Sequence, residues 1–339
     1  MNIIKKFINR RECTSIIFLI ALYVIVGLIN PTFMQSDNIM LCLNGATVYT
    51  ICAIGMAFVI FTGEIDASIG ATLGLSAAVV ATMIRDGKPF ILAVLVAVCI
   101  GLIIGLINGF GVAILKVPSI IMTIGISSIV RGISYVYTGG AWVENVPKNF
   151  KEFSQQGIAG LSWMYIGTII IMIAIYMFLA KTKRGGYFQA VGDNEDGAIH
   201  LGLPVTGTRL ISFVICAVCA SLASAIFVSR IGFVTPTSGN GYEMKAIAAC
   251  VIGGISLSGG IGNMVGATFG ALIMASISRI LVFLGFSSNY DNTITGILLI
   301  TIVVFDAVMQ HRNTEKARRE RLSARTETVA DSKVVGGNG

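Results

Sequence analysis

The densest group of chemically reactive side chains lies near the middle of the chain, in the sequence AVGDNEDGAIHLGLPV at residues 190–205. Within it, GDNEDG at 192–197 brings three carboxylates and an amide together, and His200 follows. Carboxylates and imidazoles bind metal ions or transfer protons. The only other histidine is His311, near the C-terminus, and no residue spacing here is typical of a metal site. The sequence therefore predicts neither a metal site nor a catalytic centre at this cluster.

The local pattern of the same stretch predicts a short amphipathic helix over residues 194–201. Asp193 and Asn194 are residue types that cap helix N-termini, and Gly202 is suited to ending a helix. Such a helix either lies on the membrane surface or docks a soluble protein. Its apolar stripe consists of Ala198, Ile199, Leu201 and Leu203.

A second candidate is the acidic turn FTGEIDASIG, which contains Glu64 and Asp66. Ionisable groups inside a membrane are costly and often functional, so a buried pair would indicate a proton relay. The favoured interpretation is a turn at the membrane interface in which Asp66 caps the next helix. In either case the turn is a possible contact for a partner on the cytosolic side.

Three further polar residues, Asn108, Arg131 and Arg279, interrupt apolar segments. The arginines are possible linings of a translocation path, or they extend to the membrane interface. Asn108 is likewise either a path residue or a hydrogen-bonding link between helices. Glu243 and Lys245 are predicted to form a local ion pair.

The composition indicates what kind of secondary structure holds these residues in place. The chain is 55% hydrophobic and only 12% charged, with a mean hydropathy of +0.84. Soluble domains average about 25% charged residues. The long apolar runs therefore predict an all-α integral membrane protein, because lipid requires internally satisfied backbone hydrogen bonds. No phosphate-binding G-x-x-x-x-G-K-[ST] loop occurs, so the chain itself is not expected to hydrolyse ATP.

The apolar runs predict about ten transmembrane helices in one transmembrane domain, residues 1–309. Basic residues near both ends place both termini and the loop 181–208 in the cytosol, whereas 310–339 is expected to be a disordered tail. The segment 244–284 is either two spans or broken helices. The net charge of +7 comes mainly from the ends and loops, so no nucleic-acid partner is expected. The spans are about 15–30, 39–61, 66–84, 90–114, 119–137, 163–180, 209–230, 244–258, 262–284 and 293–309.

Glycines spaced four residues apart predict close helix packing, because small residues on one stripe let helix backbones approach in lipid. These stripes are Gly70 and Gly74; Gly101, Gly105 and Gly109; and Gly262, Gly266 and Gly270.

Three segments resemble the permease subunits of bacterial ATP-binding-cassette importers for sugars and small polyols. They are GEIDASIG, GDNEDGAIHLGL and AIAACVIGGISLSGGIGNMVGATFGALI, and the resemblance covers about residues 10–310. In the first segment Glu64 and Ala67 depart from the family pattern, where Gly and Leu are common. The branch most resembled imports autoinducer-2, with rhamnose or another pentose or hexose as the alternative substrate.

The resemblance implies a fold like that of the vitamin B12 importer permease, in the bacterial inner membrane. It also implies four partners: a cytosolic ATP-binding subunit that holds ATP-Mg, a second and distinct permease chain, a periplasmic substrate-binding protein, and membrane lipid. No cofactor is expected on this chain. An alternative of another class is a proton-coupled secondary transporter. The implied ATPase-coupling helix contains Gly192, Asp193, Asn194, Glu195, Ala198, Leu201 and Gly202.

Overall fold

The computed structural model describes residues 11–287, 290–301, 303, 304, 307 and 308, apart from the side chains of residues 11–14 and 153. The described residues up to Leu299 form one compact body, and those from residue 300 onward are helical. The predicted span 293–309 lies only partly within the described residues, and the predicted tail 310–339 lies outside them. The helices are α1 (Arg11–Ile29), α2 (Ser36–Phe61), α3 (Ile69–Arg85), α4 (Phe90–Gly109), α5 (Ser119–Thr138), α6 (Lys148–Phe153), α7 (Trp163–Lys181), α8 (Lys183–Asp193), α9 (Glu195–His200), α10 (Val205–Ile231), α11 (Tyr242–Ile252) and α12 (Met264–Phe283).

Three smaller elements complete the described part of the fold. A 3-10 turn at Pro31–Met34 joins α1 to α2, and a π-helical turn at Phe110–Ile114 extends α4. Strands β1 (Gly157–Ile158) and β2 (Leu161–Ser162) form a short antiparallel hairpin before α7. The described residues are otherwise dominated by helices, which confirms the all-α class.

Six helices of the described part are long and apolar enough to cross a bilayer: α2, α4 with its π-helical extension, α5, α7, α10 and α12. Two shorter apolar helices, Ser15–Ile29 and Ile69–Arg85, coincide with predicted spans. The predicted span 244–258 is helical only as far as Ile252, where α11 ends. At 11 residues, α11 is about 16 Å long, roughly half of a hydrocarbon core about 30 Å thick. An irregular segment, 253–263, then leads into α12.

The centre of the body is built on α10, which packs against α2, α3 and α4. The predicted stripe on α4 makes one of these contacts. A Cβ added at Gly105 would lie 2.7 Å from Val214 Cα, and one at Gly109 would lie 2.9 Å from the Leu210 carbonyl oxygen. Only glycine permits this approach, so the structure confirms that the α4 stripe is a helix-packing surface.

The other two stripes make different contacts. Gly270 packs against the backbone of Ala249 in α11, as expected for two helices in close contact, and Gly266 packs against Gly253, directly after α11. Gly262 precedes α12 and contacts Ile255 instead. Gly70 and Gly74 contact the backbone of the irregular segment at 238–239, and Gly70 also lies against the Glu243 side chain of α11. The backbone that approaches the α3 stripe therefore belongs to a loop, and the helix beside it contributes a side chain.

Four connections meet at one end of the body, which we call the loop end: 62–68, 115–118, 181–208 and 253–263. A Cβ added at Gly63, for example, would lie 3.4 Å from the Ser258 carbonyl oxygen. At the opposite end, Val143 and Val234 form an antiparallel bridge. Successive predicted spans run in opposite directions, which puts every second connection on the same side. The four connections at the loop end are such a set.

Candidate functional site

The helix predicted at 194–201 is present as α9, at the loop end. Asn194 is its N-cap, and its side-chain oxygen accepts a hydrogen bond of 2.8 Å from the Gly197 backbone N–H. Gly202 follows with a φ of +72°, a left-handed conformation that glycine adopts without steric cost. Asp193 is not a cap of α9, because it is the last residue of α8.

The apolar residues of this region do not form the single face that the sequence predicts. Ala198 is buried in a small cluster with Val191 and Val205, and Leu203 packs against that cluster. Ile199 and Leu201 point away from the body, with 55% and 79% of their surfaces exposed. The stretch therefore has one apolar side that attaches it to the protein and another that is available to a partner.

The start of this stretch packs tightly against two other connections at the loop end. A Cβ at Gly192 would overlap the Phe61 carbonyl oxygen and lie 2.7 Å from the Gly260 backbone nitrogen. Gly260 itself donates a backbone hydrogen bond of 3.0 Å to that Phe61 oxygen. Gln189 Nε2 donates to the Gly262 carbonyl oxygen at 3.0 Å. The glycine-rich segment 253–263 is thus a packing partner of the predicted coupling loop.

Charged side chains also join α9 to the body. Arg209 of α10 forms two parallel hydrogen bonds with the Glu195 carboxylate, at 2.9 and 2.8 Å. Arg209 Nε lies 3.4 Å from Glu64 Oε1, and Lys116 Nζ lies 3.9 Å from Glu195 Oε1. Sequence reasoning missed Arg209, although a lone cation in the first turns of an apolar helix was a usable signal.

The two acids of the FTGEIDASIG turn have separate partners. Asp66 is fully buried, and its Oδ1 accepts hydrogen bonds from the Ser68 backbone N–H at 2.8 Å and the Ser68 hydroxyl at 2.6 Å. Asp66 therefore closes the turn before α3, but the N-cap of α3 is Ser68, which makes no side-chain capping hydrogen bond. The prediction that Asp66 itself caps α3 is wrong. Asp66 is buried in protein and does not reach an interface, because neighbouring helices cover it. Glu64 pairs with Arg209 instead, so the two carboxylates do not form one relay.

Asn108 connects α4 to this turn. It is fully buried, and its Nδ2 donates a hydrogen bond of 2.8 Å to Ser68 Oγ. This contact favours the interpretation of Asn108 as a link between helices. Thr123 of α5 accepts a hydrogen bond of 3.0 Å from the Ala67 backbone N–H, so the turn is held from two sides.

The predicted local ion pair between Glu243 and Lys245 is wrong. Residues two apart on a helix do not face each other. Glu243 lies 3.5 Å from Arg131 of α5, and Lys245 pairs with Asp291. Arg279 is half-buried near the end of α12. The two ion pairs lie toward the end opposite α9, where they join α5 and the helical residues 290–299 to α11.

The described residues contain no group of three or more His, Cys, Asp or Glu side chains arranged to hold a metal ion. The fold and its polar contacts define a multi-pass helical membrane protein whose ordered charged groups connect helices. A family model described as "Branched-chain amino acid transport system / permease component" matches residues 38–303. The chain belongs to this permease family. Its members are multi-pass transport subunits of the inner membrane, and membership implies an ATP-binding subunit and a substrate-binding protein as partners.

Two relatives illustrate the similarity. The chain is 35% identical over 319 residues to the autoinducer 2 import system permease protein LsrC of Salmonella typhi, covering 94% of this chain and 92% of the relative. It is 35% identical over 322 residues to the protein of the same name from Escherichia coli strain K12 / DH10B, covering 94% and 93%. No solved structure matches the chain.

Proposed function

We propose that this chain is the permease that carries autoinducer-2, or a closely related sugar-like molecule, into the cytoplasm as part of an ATP-driven importer. The similarity to permeases of that name extends over 94% of the chain, which supports this substrate class. Rhamnose and other pentoses or hexoses are the competing substrates. The chain supplies the path, and ATP-Mg binds to the partner ATPase.

The proposed arrangement has ten crossings, with both termini and the loop end in the cytoplasm and a fold like the vitamin B12 importer permease. Residues 1–309 form the permease domain, and a related but distinct chain completes the path. The basic residues near both ends support this orientation. The grouping of four connections at the loop end is consistent with it.

The observation that carries the coupling proposal is the exposed apolar surface of the α9 region. Ile199 and Leu201 are 55% and 79% exposed beside the exposed acidic residues Asp193 and Asp196. A small apolar surface with a charged border is typical of the centre and rim of a protein interface. We therefore assign residues 192–202 to the contact with the ATPase.

Substituting the exposed apolar residues tests this assignment. In the complex purified from native membranes through a tag on this chain, Leu201→Asp and Ile199→Asp are expected to reduce ATPase recovery about tenfold or more, because they place a charge in the interface core. Ile158→Asp is the matched control, since Ile158 is 60% exposed in the hairpin before α7, away from α9. Normal ATPase recovery with both α9 variants would contradict the docking role.

Uptake by the reconstituted complex tests the transport function itself. Liposomes that contain the complex, with the binding protein outside and ATP inside, are expected to accumulate labelled autoinducer-2. Labelled rhamnose added at the same concentration is the comparison substrate, and faster rhamnose uptake would assign the chain to that substrate instead. Uptake that follows a proton gradient and needs no ATP would refute the ATP-driven mechanism.

A further inference from the structure

The strongest polar contact of α9 is a chain of alternating charges at the loop end: Glu64, Arg209, Glu195 and Lys116. Arg209 is the central cation, with its two terminal nitrogens on Glu195 at 2.9 and 2.8 Å. Its Nε lies 3.4 Å from the Glu64 carboxylate. A guanidinium held in this way fixes both the distance and the orientation of its partner, which a single-point contact does not.

The exposure of the side chains indicates which of these charged contacts contribute most to holding α9. The side chains of Arg209 and Glu64 are only 13% and 17% exposed, whereas that of Glu195 is 39% exposed. Lys116 is 59% exposed and its nitrogen is 3.9 Å from Glu195, so water screens this pair and its contribution is small. The bond between Arg209 and Glu195 is thus the main polar attachment of α9.

The three central residues belong to three different elements. Glu195 begins α9, Arg209 lies in the second turn of α10, and Glu64 follows the end of α2. Helix α10 in turn packs along the glycine stripe of α4. A movement of α9 therefore acts through Arg209 on α10 and on the connection after α2.

The other attachments of α9 are limited. Ala198 contributes one small buried side chain to the cluster with Val191 and Val205. The chain enters α9 through Asn194, which is in an extended conformation between α8 and α9. An extended residue between two helices gives the second helix its own orientation, so contacts beyond Asn194 must hold that orientation. Besides the bond to Arg209, these include the short connection 201–204 to α10, where the Leu203 backbone N–H donates a hydrogen bond of 3.0 Å to the Ala198 carbonyl oxygen.

We propose that Arg209 is a positioning residue that sets the orientation of α9 and transmits its movement to α10 and to the 62–68 connection. This inference rests on the proposed docking of the ATPase on α9. Loss of Arg209 would leave the Glu64 and Glu195 carboxylates near each other without the cation between them. Loss of Glu195 leaves Arg209 paired with Glu64. The position of α9 should therefore depend more on Arg209 than on Glu195.

The test uses the complete reconstituted complex and three measurements: ATPase recovery, ATP hydrolysis, and substrate uptake per ATP hydrolysed. Arg209→Gln is expected to retain ATPase recovery and hydrolysis but to lower uptake per ATP about tenfold. Glu195→Gln should lower it less. Arg209→Lys, which keeps the charge without the paired hydrogen bonds, should fall between Arg209→Gln and the parent. Arg85→Gln is the control, because Arg85 pairs with Asp86 at the end of α3 opposite the 62–68 connection.

The double variant Arg209→Gln with Glu195→Gln provides a second criterion. If both residues act through one contact, its uptake per ATP should fall no further than that of Arg209→Gln alone. Additive losses would overturn the inference, as would parental uptake per ATP in Arg209→Gln. Loss of ATPase recovery in Arg209→Gln would also overturn it, because the residue would then serve docking itself.

Failure of the proposed ATPase docking on α9 can be distinguished from failure of the inference about Arg209. It would appear as normal ATPase recovery with Ile199→Asp and Leu201→Asp, in a complex where Arg209 is unchanged. If Arg209→Gln does not elute as a single folded species from detergent, Glu195→Gln and Arg209→Lys decide the inference. Parental uptake per ATP in both of these variants would refute it.

Discussion

The contact between Gly192 and the two neighbouring connections predicts a large effect from the smallest possible substitution. In Gly192→Ala, the new methyl group would overlap the Phe61 carbonyl oxygen and lie 2.7 Å from the Gly260 nitrogen. Both neighbours are backbone atoms, so no side-chain rotation can relieve the contact. The methyl group would also sit against the 3.0 Å hydrogen bond that joins Gly260 to Phe61.

The expected cost has two parts. Inserting a methylene-sized group into a closely packed site costs about 1–3 kcal/mol. Weakening the backbone hydrogen bond adds about 0.5–1.5 kcal/mol, for a total of about 1.5–4.5 kcal/mol. At about 2 °C per kcal/mol for a chain of this size, the melting temperature should fall by roughly 3–9 °C.

The assay is thermal unfolding of the detergent-purified permease, followed by loss of the monodisperse peak after heating. The control is Gly186→Ala in the same helix, α8, where a Cβ would meet nothing within 4 Å. Replacing an unobstructed helical glycine by alanine stabilises a protein by about 0.4–1 kcal/mol, so this variant should melt slightly above the parent. Equal melting temperatures for the two variants would refute the packing argument.

Two other substitutions test the interior. Gly105→Ala should destabilise the fold by about 1–3 kcal/mol, because its Cβ would lie 2.7 Å from Val214 Cα. Gly125→Ala on α5, where the Cβ is unobstructed, should not lower the melting temperature. Lys245→Met should cost about 3–5 kcal/mol, because it leaves the carboxylate of Asp291 without its buried partner. Adding Asp291→Leu should recover part of this loss, and a double variant less stable than Lys245→Met would contradict the assigned pairing.

Features that depend on neighbours in sequence could be predicted from the sequence. Helix α9 follows from the capping chemistry of Asn194 and the ending chemistry of Gly202, both of which act within one turn. The α4 stripe was predictable because its spacing of four keeps the glycines on one helical face. The family assignment depended on the same short motifs, which are local as well.

Features that depend on distant partners could not be predicted. Glu243 and Lys245 are close in sequence, but their partners are Arg131 and Asp291, on elements whose positions only the fold determines. Helix α8 was missed because its sequence contains two adjacent glycines and little apolar periodicity. It is helical nonetheless, because packing of Phe188 against Phe58 of α2 outweighs the low intrinsic propensity.

The chain is attached differently before and after Asn194. We expect the contacts before it to determine stability and those after it to determine coupling. Before Asn194, the chain is fixed by backbone contacts at Gly192, which allow almost no adjustment. After Asn194, it is held by the two hydrogen bonds between Glu195 and Arg209, which join α9 to α10. A fixed backbone segment followed by a side-chain contact with the next helix lets α9 pass its movement to α10 while its base stays in place. Substitutions at Gly192 should therefore lower the melting temperature, whereas substitutions at Arg209 should lower uptake per ATP with a smaller change in melting temperature. If substitutions at Gly192 instead lowered uptake per ATP, and those at Arg209 lowered mainly the melting temperature, the roles inferred from their contacts would be wrong.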